Sequence, residues 1–194
     1  MRSPRRKPKP VNSLTPELRA EVLAKMDGLG PTSFSTGVRI ALLTGMRRGE
    51  IFAMEWRDVN ATSGRLSVSK AIKGDGRLGE PKSTSSIRSV AIGGRLLQLM
   101  ENMRKWQQKS LPKKTWPQHD FVLCNEKGER ANMNTFEHWW RSWADDNGWP
   151  GLRFHDLRHS HATMLIAAGW SPKDVQERLG HASVRVTLDI YTHP

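Results

Sequence analysis

The stretches Arg65-Leu-Ser-Val-Ser69 and Ile87-Arg-Ser-Val-Ala-Ile92 alternate polar and apolar residues along the chain. This alternation is typical of a β-strand that buries one face, because successive side chains of a strand point to opposite sides. Between the two stretches, Gly74-Asp-Gly76 contains the residue types that favour a tight turn. The pattern therefore predicts a small antiparallel sheet, with Lys82 on its second or middle strand.

Helical patterns lie on both sides of the predicted sheet. Thr15 is predicted to cap the first helix, and Pro16 to occupy its first position. Leu18, Val22 and Met26 then mark the buried face of that helix. The fold class predicted is α+β, a mainly helical domain with one small antiparallel β-sheet. Further helices are predicted at residues 33–43, 48–54, 94–109, 134–147, 154–168, 172–179 and 183–191.

Length and composition indicate a single folded domain. The chain has 194 residues, of which 37% are hydrophobic, and this suffices for one buried core. Its single cysteine, Cys124, excludes an intramolecular disulfide framework and is typical of a reducing compartment. Every apolar run is shorter than the roughly 18 to 20 residues that span a bilayer. We therefore expect a cytoplasmic protein that does not enter the membrane.

Positive charge is in excess and is unevenly distributed. The 31 lysines and arginines exceed the 19 acidic residues by a net charge of +12. Residues 1–10 carry five positive charges and no acid, and we expect a basic arm or linker, 1–13, ahead of a domain at 14–194. Seven more basic residues lie between Arg65 and Arg95, against two acidic ones. This distribution predicts binding to nucleic acid, and an anionic membrane surface is the weaker alternative.

His155 and Arg158 lie three residues apart, on one face of a predicted helix. Arginine binds phosphate through paired N–H donors, and histidine exchanges protons near neutral pH. The spacing alone is weak evidence, because His138 and Arg141 repeat it in a segment rich in tryptophan. His155 and His159 also have the spacing of a zinc-binding helix, but no third ligand is evident and Arg158 would repel the metal. A phosphate site is therefore favoured over a metal site.

Tyr191 is the only tyrosine of the chain and lies three residues before its last residue. Taken alone, Tyr191 would be interpreted as an aromatic residue that closes the last predicted helix. Leu179-Gly-His181 lies shortly before it, and Thr44-Gly-Met-Arg47-Arg-Gly-Glu50 and Lys82 lie far upstream. The last two predicted helices would also fit a helix-turn-helix DNA-binding regulator, but that interpretation gives Arg47, Lys82 and Tyr191 no role.

These segments together resemble the catalytic domain of the tyrosine recombinases, the phage integrase family. The segment at 44–50 is similar to the first motif of the family, 154–159 to the second, and 179–181 with Tyr191 to the third. The ordered set, across residues 14–191, is far more specific than any one fragment. The resemblance implies that the catalytic residues are Arg47, Lys82, His155, Arg158, His181 and Tyr191, with Glu50 in a supporting role.

The resemblance also implies a tyrosine recombinase catalytic fold and site-specific DNA recombination, by cleavage and rejoining through a 3′-phosphotyrosyl intermediate. Tyr191 would be the nucleophile and Lys82 the general acid, with no metal ion, ATP or other cofactor. The partner would be double-stranded DNA at a specific recombination site, bound by a protein that is a monomer when free and a tetramer on DNA. Contacts to the DNA are expected from Lys70, Lys73 and Arg88.

One further enzyme class and one question of chain extent stay open at this point. Type IB topoisomerases share this chemistry and are the alternative enzyme, although the short chain and the context of His155 and Arg158 favour recombination. Family members usually carry a DNA-binding domain before the catalytic domain and a helix beyond the tyrosine. Here the basic arm precedes residue 14 and three residues follow Tyr191, so we expect an excised catalytic domain.

Overall fold

A computed structural model describes residues 13–79, 87–112, 120–181, 183, 185, 187 and 188 of the chain. Within these residues the chain is mainly helical. The helices are α1 (Pro16–Gly28), α2 (Ser33–Thr44), α3 (Arg48–Ala53), α4 (Gly94–Ser110), α5 (Met133–Asp146), α6 (Asp156–Ala167) and α7 (Pro172–Leu179), with a 3₁₀ turn at Trp56–Asp58. The strands are β1 (Val59–Asn60), β2 (Arg65–Val68), β3 (Ala71–Ile72), β4 (Leu78–Gly79) and β5 (Arg88–Ala91).

The predicted sheet is present, and a second pair of strands stands apart from it. Strands β1, β2 and β5 form an antiparallel sheet in that order, in which Leu66 is opposite Val90. Strands β3 and β4 form a separate hairpin around the predicted Gly74–Gly76 turn, with Ile72 opposite Leu78. The prediction of one sheet for the whole region is therefore wrong in this detail, because among the described strands β3 and β4 pair only with each other. Lys82 lies outside the described residues.

The helices follow their predicted caps and periodicity closely. The Thr15 side chain accepts from the Leu18 backbone N–H, and Pro16 begins α1 as predicted. The largest difference is at α6, which begins at Asp156 rather than at Phe154. The Asp156 carboxylate accepts from the Arg153 backbone N–H at 2.8 Å, and this turn holds the chain before the helix starts. Of the predicted helix at 183–191, residues 185, 187 and 188 are helical and most of the remainder lies outside the described residues.

Aromatic side chains fill the centre of the main core. Phe136 of α5 contacts Phe34, Phe52 and Phe154, with ring centroids 5.0 to 5.3 Å apart. Each fully buried ring of this kind stabilises the fold by about 1.5 to 3 kcal/mol. Trp140, also on α5, is fully buried. Helix α5 therefore packs against the main core through Phe136 and Trp140.

The second histidine–arginine pair of the sequence lies on the outer face of α5. His138 is exposed, and Arg141 forms an exposed ion pair with Glu137 at 3.7 Å. Solvent-exposed pairs of this kind add little to stability. This pair takes no part in the cluster of charged residues described below.

A small second core joins α6 to α7. Ala162 and Leu165 of α6 pack against Val175 and Leu179 of α7. All four side chains are buried, so the position of α7 relative to α6 is set by apolar packing. No helix within the described ranges is long and apolar enough to cross a membrane.

Candidate active site

A buried carboxylate, Glu50, lies between two guanidinium groups. Arg47 directly precedes α3, and its Nη1 donates to Glu50 Oε1 at 2.9 Å while its backbone N–H donates to Oε2 at 2.9 Å. Arg88, at the start of β5, donates from Nη1 and Nη2 to the same two oxygens at 3.0 and 2.8 Å. Burial raises the pKa of the Glu50 carboxyl, but the hydrogen bonds and charges of Arg88 and Arg47 outweigh burial and lower that pKa overall. Glu50 therefore stays ionised and holds both arginines.

The C-terminal end of α7 is a second support for the arginines. The last carbonyls of a helix have no partner inside it, and they carry the negative end of the helix dipole. Three consecutive carbonyls of this end each accept a hydrogen bond from a different arginine. The pairs are Arg178 O with Arg88 Nε at 2.8 Å, Leu179 O with Arg158 Nη2 at 2.8 Å, and Gly180 O with Arg47 Nη2 at 2.5 Å.

Arg158 of α6 is almost fully buried, with 4% of its surface exposed. Besides its bond to Leu179, it donates from Nη1 to the Gly45 carbonyl at 2.6 Å, at the C-terminal cap of α2. Burial and the positive charge of Arg47 lower the pKa of Arg158 to about 9, so this guanidinium is still charged at neutral pH. Among the described residues, these two carbonyls occupy two of its five N–H groups and leave three for another acceptor.

Glycine is required at the two helix caps whose carbonyls accept hydrogen bonds from Arg158 and Arg47. Gly45 and Gly180 both have the left-handed backbone conformation, with φ of 66° and 68°. A Cβ at position 180 would lie 2.8 Å from Arg88 Nη1, and a Cβ at position 45 would lie 2.5 Å from Leu179 Cδ2. The glycines therefore allow the backbone carbonyls to approach the arginines more closely than any side chain would permit.

We call Arg47, Arg88 and Arg158, together with Glu50, the arginine cluster. The cluster has three guanidinium groups and one carboxylate, which pairs directly with Arg47 and Arg88, so it has a surplus of two positive charges. Their mutual repulsion is offset by the carbonyl dipoles of α2 and α7. A phosphate has several acceptor oxygens and a negative charge, so it matches the N–H groups that remain on Arg158. The cluster is suited to bind a phosphate and to stabilise charge that develops on its oxygens.

His155 lies at the N-terminal end of α6, one turn before Arg158, with part of its surface open to solvent. Desolvation by the surrounding protein, together with the positive charges of His159 and Arg158, lowers the pKa of His155 to about 4. The imidazole is therefore neutral at pH 7 and can accept a hydrogen bond or a proton.

His181 follows the C-terminal cap of α7 and is buried, with 8% of its surface exposed. Its Nδ1 lies 2.9 Å from Thr187 Oγ1. Burial and the charges of Arg158 and Arg47 lower the pKa of His181 to about 3, so its ring is also neutral. The structure thus brings together four of the six predicted catalytic residues with the supporting Glu50: Arg47, His155, Arg158 and His181.

The other two predicted catalytic residues, Lys82 and Tyr191, lie outside the described residues. Their roles stay predictions. Of the expected DNA contacts, Lys73 is exposed beside the β3–β4 turn, where a DNA backbone could reach it. Its contact with DNA also stays a prediction.

The surroundings of Lys70 and Arg88 do not fit the expected DNA contacts. Lys70 Nζ forms ion pairs with Glu55 at 2.9 Å and with Asp58 at 3.2 Å. The Arg88 side chain is 7% exposed and pairs with Glu50. Either side chain would have to give up these charge pairs to reach a phosphate of DNA. Arg88 therefore supports the arginine cluster and Lys70 pairs with acidic side chains near the 3₁₀ turn, and contact of either residue with DNA stays a prediction.

The alternative zinc site on α6 gains no support from the neighbouring side chains. The rings of His155 and His159 contact each other with centroids 4.9 Å apart. Within the described ranges, no group of three or more histidine, cysteine, aspartate or glutamate side chains is placed to hold a metal ion. Burial and, to a smaller extent, the charge of Arg158 lower the pKa of both histidines, and that charge would also repel a metal cation. The expectation of metal-free chemistry stays a prediction.

Sequence reasoning missed the supporting role of Arg88 and two further residues, His161 and Arg178. A signal for Arg88 was present, since strand alternation places it on the same face as Val90, which is buried. His161 is likewise three residues after Arg158 on α6, so the two share a helix face. The sequence held no comparable signal for Arg178, which could be recognised only as a basic residue in the last turn of a predicted helix.

Acid should destabilise this fold strongly because of His161 and His181. Both side chains are buried, and burial with nearby arginine charges lowers the pKa of each to about 3. In the unfolded chain their pKa returns to about 6.5. Between these values the unfolded state binds more protons, so their stabilisation is complete above pH 6.5 and is lost as the pH falls toward 3. Urea denaturation followed by tryptophan fluorescence should show a loss of about 4 kcal/mol between pH 7 and pH 5. An unfolding free energy that stays constant over that range would contradict this assignment.

Comparison with protein families and curated proteins identifies relatives of the chain. The phage integrase family model matches residues 18–194. The ICEBs1 integrase of Bacillus subtilis strain 168 is 32% identical over 164 residues, which cover 82% of this chain and 45% of that protein. Tyrosine recombinase XerD of Listeria monocytogenes strain EGD-e is 28% identical over 195 residues, which cover 96% of this chain and 60% of that protein. The chain spans about half the length of the curated relatives it matches.

Solved structures share the fold. The Tn1549 transposon integrase in complex with a circular intermediate DNA aligns with a TM-score of 0.81 at 22% identity, over 95% of this chain and 62% of that one. The XerA recombinase aligns with a TM-score of 0.74 at 22% identity, over 99% of this chain and 62% of that one. These likenesses confirm the predicted tyrosine recombinase catalytic fold. Together with the family match over residues 18–194, they lead to one conclusion: the chain belongs to the phage integrase family.

Proposed function

We propose that this chain catalyses site-specific DNA recombination, in which it cleaves a DNA strand, holds it through a 3′-phosphotyrosyl bond and rejoins it to another strand. The observation that carries the proposal is the arginine cluster, with two surplus positive charges and free donors on a buried arginine. The relatives of the chain support the same activity, because they are named as integrases and tyrosine recombinases.

The scissile phosphate would accept hydrogen bonds from Arg47 and Arg158. Attack on a phosphodiester places additional negative charge on the two non-bridging oxygens. Arg158 cannot rotate away from them, because the carbonyls of α2 and α7 hold two of its nitrogens. Preorganised donors of this kind stabilise developing charge without a further cost of reorganisation.

The attacking group would be the Tyr191 hydroxyl, whose oxygen forms a bond to phosphorus as the bond from phosphorus to the 5′-oxygen breaks. A phenol has an ordinary pKa of about 10, so it must give up its proton during attack. We assign the acceptor role to His155, which is neutral. A bound phosphate would raise the pKa of His155 from about 4 because its negative charge favours the imidazolium, and this makes the ring a better base.

The 5′-oxygen that leaves must receive a proton, and we assign that proton to Lys82. The cleaved strand then carries a free 5′-hydroxyl, and the other end remains on Tyr191. A 5′-hydroxyl of a second strand then attacks the phosphotyrosine and gives its proton to Lys82. The bond from phosphorus to the tyrosine oxygen breaks as His155 returns a proton to that oxygen, and a phosphodiester is restored. One phosphoester replaces another of similar energy, so the reaction needs no nucleotide triphosphate.

The proposed partner is double-stranded DNA carrying a specific recombination site. The Tn1549 integrase and the XerH recombinase are seen in complex with DNA, which supports this partner. We further propose that the domain at 14–194 is the catalytic domain, a monomer when free, and that it assembles as a tetramer on DNA in the cytoplasm. The basic arm at 1–13 would strengthen binding through phosphate contacts, which are weakened by salt and carry no sequence information.

Replacement of Tyr191 by phenylalanine tests this function. The variant keeps the ring and loses the hydroxyl, so it should form no covalent protein–DNA adduct while its affinity for the same duplex changes by less than about twofold. The duplex is obtained by covalent capture from a random-sequence library with the unaltered chain. Denaturing gels detect the adduct, and gel shift measures binding.

The outcomes separate the candidate functions. Adduct formation by the phenylalanine variant at the unaltered rate would remove Tyr191 from its role. Failure of the unaltered chain to form an adduct with any duplex that it binds would favour the DNA-binding regulator instead.

A further inference from the structure

A buried histidine lies behind the arginine cluster. His161 is 2% exposed and occurs on α6 one turn after Arg158. Its ring packs against the turn at Gly45, where an added Cβ would lie 2.8 Å from His161 Cδ2. The Gly45 carbonyl is one of the two that hold Arg158. His161 therefore supports the backbone that holds Arg158 without reaching the phosphate site itself.

The partners of His161 assign a single protonation state to its ring. Nδ1 lies 3.0 Å from the Leu42 carbonyl, which only accepts, so Nδ1 carries the hydrogen. Nε2 lies 3.1 Å from Arg178 Nε, which only donates, so Nε2 is the acceptor. Burial and the charge of Arg178 lower the pKa of His161 to about 3, in agreement with a neutral ring. The histidine therefore connects α2 to α7 with one defined hydrogen bond on each side.

Arg178 connects the end of α7 to two other elements. Its Nη2 donates to the Ala91 carbonyl at 3.1 Å, at the end of β5, and lies 3.5 Å from the Leu43 carbonyl of α2. The backbone carbonyl of the same residue accepts from Arg88 Nε at 2.8 Å. The Arg178 side chain thus holds in place its own backbone carbonyl, which is the first of the three consecutive carbonyls that accept hydrogen bonds from the arginine cluster.

We propose that His161 and Arg178 form a positioning pair, which sets the C-terminal end of α7 in register with α2 and so orients the arginines that contact the phosphate. The proposal deepens the function proposed above and rests on it. Neither residue touches the reacting atoms. Their effect passes through the carbonyls of residues 178–180 and of Gly45 to Arg88, Arg158 and Arg47.

Two substitutions separate the two hydrogen bonds of His161. In His161→Gln the longer amide can place its oxygen near the former Nε2 and accept from Arg178. In His161→Asn the shorter amide can donate to the Leu42 carbonyl but cannot reach Arg178. Both keep a polar group in the same buried space, so the difference between them compares loss of the bond to Arg178 with loss of the bond to Leu42. His138→Asn, at an exposed position on α5, is the matched control.

The first measurement is the rate constant of covalent adduct formation at saturating DNA, per folded molecule. His161→Asn should lower it about 10- to 100-fold, because a shift of the order of 1 Å in a positioned group has effects of this size. DNA affinity should change by less than about twofold, and His161→Gln should stay within about threefold of the unaltered chain. A residue that acts only on stability would change the folded fraction and leave this rate constant unchanged.

The second set of measurements needs no DNA and no catalysis. Nitrogen-15 NMR of histidine at pH 7 should show His161 protonated at Nδ1 and unprotonated at Nε2. Titration with inorganic phosphate, followed on the arginine Nε–H signals, should show about fivefold weaker binding in His161→Asn and unchanged binding in His161→Gln, because a displaced charged donor costs about 1 kcal/mol.

The results distinguish failure of the pair from failure of the proposed function. If the unaltered chain forms no adduct with any duplex that it binds, the recombinase function is contradicted. The phosphate titration then still tests whether His161 and Arg178 position the arginines. The proposed role of the positioning pair is contradicted if His161 is protonated at Nε2 or at both ring nitrogens. It is also contradicted if His161→Gln is as impaired as His161→Asn, or if His161→Asn changes neither the rate constant nor phosphate binding. If His161→Asn does not fold, the glutamine variant and the NMR spectrum of the unaltered chain provide the test.

Discussion

Replacement of Arg158 by lysine is expected to slow covalent adduct formation by about 10²- to 10³-fold, the usual effect of removing one preorganised donor. Lysine keeps the positive charge but has a single nitrogen. It cannot donate to the Gly45 and Leu179 carbonyls at the same time and still hold two phosphate oxygens. The measurement is single-turnover cleavage of the captured duplex at saturating protein.

A surface arginine provides the matched control for this prediction. Arg141 of α5 is exposed and pairs with Glu137 at 3.7 Å. Arg141→Lys should leave the cleavage rate unchanged within about twofold, because an exposed ion pair contributes little. If Arg158→Lys cleaves as fast as Arg141→Lys, the directed guanidinium donors are not needed, and charge alone accounts for the site.

Replacement of Lys82 by alanine is expected to slow cleavage of ordinary DNA by about 10²- to 10⁴-fold, the usual effect of a positioned general acid. A substrate with sulfur in place of the bridging 5′-oxygen has a better leaving group that needs no proton. On that substrate Lys82→Ala should recover most of its rate. Arg47→Ala should not recover, because its role concerns charge on the non-bridging oxygens.

Lys73 is the control for the position of the general acid. It is exposed on the β3–β4 hairpin, whereas Lys70 is engaged with Glu55 and Asp58. Sulfur rescue of Lys73→Ala, with no rescue of Lys82→Ala, would move the acid role to Lys73. If Lys82→Ala lowers the cleavage rate equally on both substrates, Lys82 contacts DNA but is not the general acid.

Most of the fold could be predicted because its signals are local. Thr15, Pro16 and Gly180 mark helix ends through chemistry that involves a few neighbouring residues. The separate β3–β4 hairpin could not be predicted in the same way. Its strands have two residues each, too few for alternation to show which sheet they join.

The ordered motifs predict which side chains are catalytic, but the residues that support those side chains could not be predicted. Arg47, Arg158 and His181 occur in segments of recognisable pattern. Their acceptors are largely backbone carbonyls at the ends of α2 and α7, and a carbonyl is present at every residue whatever its side chain. Arg88 and His161 contact such carbonyls, at Arg178 and Leu42, so the roles we propose for them become visible once the helices are placed in three dimensions.

Mass spectrometry of the covalent adduct tests the central claim, that Tyr191 attacks a phosphate held by the arginine cluster. The unaltered chain is reacted with a nicked form of the captured duplex, so that the cleaved fragment diffuses away and the adduct accumulates. Cleavage by trypsin after Arg185 releases residues 186–194, which contain Tyr191. We expect this peptide with a nucleotide attached through its 3′-phosphate. A nucleotide on any other residue, or one attached through a 5′-phosphate, would contradict the central claim.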